Sequence, residues 1–144
     1  MKNIQNLNVY LSNLAVLITK THNLHWNVVG LQFTTLHNYT EELYDYYFEK
    51  YDDVAEIIKM RGHYPLAKLS DYLANATVKE LESKDYSTKE LMETIKADME
   101  LLLNDAKKIR AVADEEDDFG VVSEMEDQIS HFTKQLWFIN SIMK

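Results

Sequence analysis

Imidazole and carboxylate side chains recur at helical spacing in the first half of the sequence. His37 and Glu41 are four residues apart, and Asp52 and Glu56 repeat this spacing further along. Residues four apart lie one above the other on an α-helix, so each pair offers two metal ligands on one face. Imidazole combined with carboxylate suits iron, manganese or zinc. A solvated helix face often carries the same residue types, which is the alternative for each pair taken alone.

The distance between the two pairs limits how they can act together. His37 and Asp52 are fifteen residues apart, which is about 22 Å along one helix, so they cannot bind one ion within a single helix. The pairs are therefore unrelated, or a second, antiparallel copy of the helix brings its own Asp52 and Glu56 to the histidines. The second arrangement requires a two-fold dimer, the commonest symmetry of homo-oligomers. It would place a metal site at a subunit interface.

Two further histidines lie in the stretch HNLHWNVVG, residues 22–30. His25 ends one apolar pattern and His37 begins the next, so a short connection between two helices can bring both imidazoles together. His22 is either a third ligand or a side chain that donates a hydrogen bond or rests at the surface. We interpret it as the latter.

Apolar residues at three- and four-residue spacing predict the helices that position these side chains. Helix A is predicted from Leu7 to the break at Gly30. Helix B is predicted to begin with a cap at Thr34 or Thr35 and to end at Gly62.

A long crossover follows helix B. Residues 66–86 are less periodic, and only the stretch LSDYLANA offers a short helix. The sequence STKE at residues 87–90 has the form of a capping box and predicts the start of helix C, while helix D begins at about Val121. Four long helices with the crossover between B and C indicate an all-α fold, a ferritin-like four-helix bundle formed by residues 1–144 as a single domain.

The composition agrees with this fold and restricts the function. Three Gly and one Pro in 144 residues are typical of long helices with few turns. The formal charge of −9 attracts cations and repels nucleic acid and anionic membranes, and the absence of Cys excludes disulfides and thiolate metal sites. We expect a cytoplasmic protein without a membrane span, since polar residues interrupt the N-terminal segment: Asn3, Gln5, Asn6, Asn8, Ser12 and Asn13.

The sequence resembles the Dps family, the DNA-binding proteins from starved cells, which are small dodecameric ferritins. The resemblance covers essentially the whole chain. The residues that carry it are the His25-Trp26 pair, Gly30, Phe33, the Leu36-His37 pair, DDVAE at residues 52–56 and the segment from Gly62 to Pro65.

The resemblance implies a ferroxidase centre between two-fold-related subunits. One chain would give His25 and His37 and the other Asp52 and Glu56 to a pair of irons, with Glu41 supporting or binding the second iron. Fe²⁺ would be the substrate and Fe³⁺ the product, and ferric mineral would be stored in a hollow shell. The implied oxidant is hydrogen peroxide, with dioxygen as the other option.

Other positions match the family less directly. Trp26 matches a neighbour of the centre that supplies electrons or quenches radicals, and packing under the turn between helices A and B is its alternative role. Ile57 stands where the family often has Arg, and Arg61 follows one turn later, so an interfacial salt bridge is moved or lost. Four acidic residues resemble the lining of the family's three-fold pore, with a solvated helix start as the alternative: Asp117, Asp118, Glu124 and Asp127.

Several classes of protein are disfavoured. The chain has neither the Glu-x-x-His motifs of classical di-iron bundles nor the His-Glu-x-x-His motif of zinc hydrolases. DNA binding is not expected, because only Lys2 precedes helix A, no Lys-rich tail is present, and the one basic cluster, at residues 107–110, has acidic neighbours. A non-enzymatic helical interaction module, with its histidines and acidic residues at the surface, is the alternative to the ferroxidase.

Overall fold

A computed structural model describes residues 2–144, which form five α-helices. The long helices are α1 (Asn3–Asn27), α2 (Phe33–Met60), α4 (Thr88–Glu115) and α5 (Phe119–Met143), and the short α3 (Leu69–Asn75) lies in the crossover between α2 and α4. Helices A to D of the sequence analysis correspond to α1, α2, α4 and α5. The predicted all-α arrangement of four long helices, with a short helix in the crossover, is confirmed.

The end of α1 lies earlier than predicted. The helix stops at Asn27 and does not continue to Gly30, because Val28 is extended, with φ −64° and ψ 140°. Val28 forms an isolated parallel β-bridge with Tyr86, which lies just before α4. The end of the crossover thus lies against the connection between α1 and α2, at the point where α1 ends.

The start of α2 also differs from the prediction. The helix begins at Phe33 after Gln32, and no side chain caps it, so the predicted cap at Thr34 or Thr35 is wrong. The Phe33 N–H donates to the Gly30 carbonyl at 3.1 Å, so a backbone turn satisfies it. Gly30 has φ +115°, a conformation that glycine adopts without the penalty of a Cβ.

The starts of the two C-terminal helices have side-chain caps. The capping box predicted for α4 is confirmed: Ser87 accepts from the Glu90 N–H, and the Glu90 carboxylate accepts from the Ser87 N–H. α5 starts at Phe119, two residues before the predicted Val121, because the Asp118 side chain accepts from the Val121 N–H. Both caps satisfy backbone donors that have no partner within their helix.

The core is formed by one apolar face of each long helix. α1 packs along α2 and α4 along α5, and the crossover joins the two pairs. Leu14, Tyr47, Met99 and Phe132, one from each long helix, are almost completely buried. Among residues 2–144, no helix is both long and apolar enough to cross a membrane.

Asparagines on α1 hold distant parts of the chain against the bundle. Asn13 Oδ1 accepts hydrogen bonds from the backbone N–H groups of Thr77 at 2.7 Å and Val78 at 3.1 Å, and its Nδ2 donates to Thr77 Oγ1 at 3.0 Å. Asn8 Oδ1 accepts from the Leu66 N–H in the same crossover. The polar residues that interrupt the apolar pattern of α1 therefore attach the crossover to the helix.

We expect Asn13→Ala to destabilise the fold by about 2 kcal/mol, because it leaves backbone donors without their acceptor. Asn38→Ala, which removes an exposed asparagine from α2, is the matched control. Urea unfolding followed by circular dichroism at fixed protein concentration measures both. Equal midpoints for the two variants would show that Asn13 does not hold the crossover.

Candidate metal centre

His25 and His37 meet where α1 ends and α2 begins. Their rings are stacked, with centroids 3.7 Å apart and planes inclined by 18°. His25 Nδ1 lies 2.7 Å from the His37 carbonyl oxygen, and His37 Nδ1 lies 2.9 Å from the His25 carbonyl oxygen. Each imidazole is thus hydrogen-bonded to the backbone of the other residue.

These bonds determine which ring nitrogen is free. A carbonyl oxygen only accepts, so Nδ1 of each ring must carry the proton that it donates. In the neutral ring, Nε2 then keeps its lone pair, the form in which histidine binds metals. His25 is 5% exposed and His37 is partly exposed, so the pair lies at the edge of the bundle. The predicted approach of the two histidines is found, with both rings prepared as nitrogen ligands.

A third residue, Thr40, is hydrogen-bonded to His25. Thr40 is completely buried, and its hydroxyl lies 2.7 Å from the Leu36 carbonyl oxygen and 3.1 Å from His25 Nδ1. Thr40 was not among the residues predicted from the sequence to lie at this site. Its position three residues after His37, on the same side of α2, is the only sequence signal for this contact.

The connection between the two helices is held by backbone hydrogen bonds. The Val29 N–H donates to the Tyr86 carbonyl at 2.9 Å, and the Tyr86 N–H donates to the Asn27 carbonyl at 3.0 Å. These two bonds attach the connection between α1 and α2 to the segment before α4. This arrangement keeps the last turn of α1 against the first turn of α2.

Tyr44 contacts both Glu41 and His22 next to the histidine pair. The Tyr44 hydroxyl donates to Glu41 Oε1 at 3.4 Å, and the Tyr44 ring stacks on His22 with centroids 3.8 Å apart. Loss of solvent contact and the charge of Glu41 raise the pKa of Tyr44. His22 Nδ1 lies 2.7 Å from the Ile18 carbonyl oxygen, which agrees with its interpretation as a hydrogen-bond donor. Tyr44 was not identified from the sequence.

Trp26 lies at the surface beside this group. It is 66% exposed, so packing under the turn between α1 and α2 is not its role within one chain. Leu31 is fully exposed, and Phe33 is 42% exposed with its ring 5.2 Å from that of His37. Three exposed apolar side chains therefore lie at and next to the connection between α1 and α2, and one of them, Phe33, contacts His37.

Asp52 and Glu56 lie far along α2 from the histidines. Both are exposed, and the helix between His37 and Asp52 is continuous. Within residues 2–144, no three His, Asp or Glu side chains come together in a way that could hold a metal ion. One chain therefore carries two histidines and two carboxylates as separate groups, as the spacing along one helix requires.

The acidic residues near the start of α5 are partly engaged by basic side chains. Arg61 Nε donates to Asp118 Oδ2 at 2.8 Å, and Arg61 Nη2 contacts the other carboxylate oxygen. These hydrogen bonds lower the pKa of Asp118. Glu124 lies 3.7 Å from Lys50 Nζ, while Asp117 and Asp127 are exposed. Arg61 thus forms its ion pair within the chain, at the end of α2.

Comparisons with known proteins give a consistent result. A model of the ferritin-like domain matches residues 4–144. The DNA protection during starvation protein of Helicobacter pylori is 33% identical over 141 residues, which cover 98% of each chain.

Two solved structures show the same fold. A Dps protein from Vibrio cholerae O1, described as a member of a broad superfamily of ferritin-like diiron-carboxylate proteins, has a TM-score of 0.95 at 31% identity, covering 99% of this chain and 89% of that one. A Dps protein from Bacillus brevis has a TM-score of 0.93 at 33% identity, covering 99% and 98%. The ferritin-like bundle predicted from the helix pattern is confirmed.

Proposed function

Because the chain belongs to the Dps family of ferritin-like proteins, we propose that it is a ferroxidase that binds, oxidises and stores iron. Two Fe²⁺ ions are oxidised while one hydrogen peroxide takes up two electrons and two protons to form two waters. Dioxygen is the alternative oxidant. Removing Fe²⁺ and peroxide together protects a cell, since the two otherwise generate hydroxyl radicals. We further propose a cytoplasmic, twelve-chain hollow shell that stores the ferric product.

The observation that carries this proposal is the reciprocal hydrogen bonding of His25 and His37. Each ring donates through Nδ1 to the backbone of the other, so both Nε2 atoms are available as ligands without rearrangement. The two stacked imidazoles have the same tautomer, and one of them, His37, is partly exposed to an incoming ion. A metal ion is the partner that their chemistry suits.

A second copy of the chain is proposed to complete the site. Asp52 and Glu56 are exposed on α2 and lie about 22 Å or more along the helix from His37. They therefore cannot reach a metal ion bound by His37 of the same chain. In an antiparallel two-fold pair of α2 helices, each histidine pair faces the carboxylates of the other copy. The exposed Trp26 and Phe33 would be covered by this contact.

The ligand types fit the two oxidation states of the substrate. Imidazole nitrogen binds Fe²⁺, and the carboxylates of Asp52 and Glu56 stabilise the additional charge of Fe³⁺. Glu41 supplies a further carboxylate, oriented by the Tyr44 hydroxyl. Trp26, exposed beside the site, is proposed to supply electrons or to quench radicals.

Changing Asp52→Ala together with Glu56→Ala should slow Fe²⁺ oxidation by peroxide about 10²-fold or more, since even ligand-supporting residues contribute 10–100-fold. The fold should persist because both side chains are exposed. Stopped-flow absorbance of ferric product measures the rate. Glu93→Ala with Glu100→Ala removes two exposed carboxylates from α4 and is the control. Wild-type rates in the Asp52/Glu56 variant would disprove the site.

Mixing two inactive variants tests whether the site is shared between chains. One variant carries His25→Ala and His37→Ala, and the other carries Asp52→Ala and Glu56→Ala. A mixed dimer contains one intact site and one site that lacks all four ligands. About half of the dimers in an equal mixture are mixed, so the mixture should recover roughly a quarter of the wild-type rate. Native mass spectrometry verifies the mixed dimers. If proven mixed dimers remain inactive, the ligands do not come from two chains.

We also propose that these 144 residues do not bind DNA detectably at physiological salt. Binding to duplex DNA depends on Lys and Arg that displace counterions from phosphates. The net charge is −9, and Arg110 in the one basic cluster is paired with Glu126 at 3.3 Å. The local charges therefore oppose contact with a polyanion.

A gel-shift assay with plasmid DNA at about 0.15 M salt and without divalent metal measures this binding. We expect no retardation by the unmodified chain. The same chain with a Lys-rich segment added after Lys144 is the positive control, and it should retard the DNA. Retardation by the unmodified chain would contradict the prediction.

A further inference from the structure

The groove between α2 and α5 contains polar side chains that the proposed iron site does not use. The Tyr39 hydroxyl on α2 donates to Gln135 Oε1 on α5 at 2.9 Å. One turn away, the His131 ring of α5 stacks on the Tyr46 ring of α2, with centroids 3.6 Å apart and planes inclined by 9°. These two contacts fix the positions of the four side chains across the groove.

His131 is incompletely satisfied in this position. Its Nε2 atom is buried and has no hydrogen-bond partner among residues 2–144. Buried polar atoms in native proteins are almost always paired with protein, water or an ion. Burial first, and then the charges of Lys50 and Lys134, lower the pKa of His131 to about 4. The ring is therefore neutral at physiological pH and can donate a lone pair.

A cavity adjoins this imidazole. It has a volume of about 60 Å³ and is lined by Glu42, His131 and Gln135, with Tyr39, Leu43 and Tyr46 completing its walls. A single water needs about 10–15 Å³ of such volume, so the space is sufficient for an ion with bound water. Glu42 and His131 therefore line one space, and both are residue types that bind divalent cations.

We propose that Glu42 and His131 form a second divalent-cation site in the groove between α2 and α5. Glu42 supplies a carboxylate oxygen and His131 an imidazole nitrogen, with Gln135 Oε1 and water at the remaining positions. This nitrogen and oxygen set suits Zn²⁺ and Fe²⁺. The site lies within one chain and does not depend on the proposed oxidation of iron at the His25 and His37 pair.

Two basic side chains, Lys50 and Lys134, lie near the proposed site, and their own surroundings differ. Lys50 is surrounded by three carboxylates, with its Nζ 3.2 Å from Asp53, 3.6 Å from Glu49 and 3.7 Å from Glu124. Lys134 is exposed, and its Nζ lies over the Phe138 ring at 5.7 Å. The three carboxylates around Lys50 partly offset its charge, and Glu42 is the carboxylate that the proposed site itself would supply.

Zinc binding to the full chain tests the site, with Zn²⁺ alone as the probe. Equilibrium dialysis counts the ions bound per chain for wild type, His131→Gln and Glu42→Gln, and His63→Gln removes an exposed histidine outside the groove as the control. We expect the His131 and Glu42 variants each to bind one Zn²⁺ fewer than wild type, and the His63 variant to bind the same number. Anomalous diffraction at the zinc edge should show a peak between Glu42 and His131.

The variants also separate this proposal from the proposed ferroxidase. Asp52→Ala with Glu56→Ala should keep the zinc peak in the groove, and His131→Gln should keep wild-type iron oxidation. Unchanged zinc stoichiometry in both His131→Gln and Glu42→Gln, or the absence of the peak, would overturn the groove site. Wild-type oxidation in the Asp52/Glu56 variant would overturn the iron site alone.

Discussion

The two hydrogen bonds exchanged by His25 and His37 depend on the close approach of two helix ends. Each ring reaches the carbonyl of the other residue only if the last turn of α1 lies against the first turn of α2. The backbone bonds between the connection and Tyr86 hold the two turns in this position. The crossover before α4 is thereby part of the support of the histidine pair, although it contributes no side chain to it.

The continuity of α2 is the second constraint. An uninterrupted helix from Phe33 to Met60 keeps the imidazole end and the carboxylate end at a fixed separation. A rigid helix with complementary groups at fixed positions can satisfy both of them by pairing with an antiparallel copy of itself. The proposed pairing would also cover exposed apolar residues at the end of α1 and the start of α2, such as Trp26 and Phe33.

Sequence periodicity predicted the four long helices, and the short connection between the first two predicted the approach of His25 to His37. It failed at the start of α2, where backbone groups of Gly30 and Phe33 take the place of the threonine cap. The sequence pattern also did not indicate that Asn13 binds the crossover, since its partners are backbone N–H groups of a segment 64 residues away. Contacts between side chains and distant backbone leave no pattern in the sequence, and the tautomers of the two histidines depend on such contacts.

Polar groups inside the bundle are paired with one another. Lys20 of α1 and Asp98 of α4 form a buried ion pair at 2.8 Å, and the Tyr10 hydroxyl donates to Gln128 at 2.6 Å. Burial raises the pKa of Asp98, and the ammonium of Lys20 opposes this change by stabilising the charged carboxylate. A carboxylate that already has a cation beside it gains little from a metal ion, and bringing in another charge would require further desolvation. These polar atoms therefore join helices to one another, whereas Asp52 and Glu56, the carboxylates proposed to bind iron, are exposed on α2.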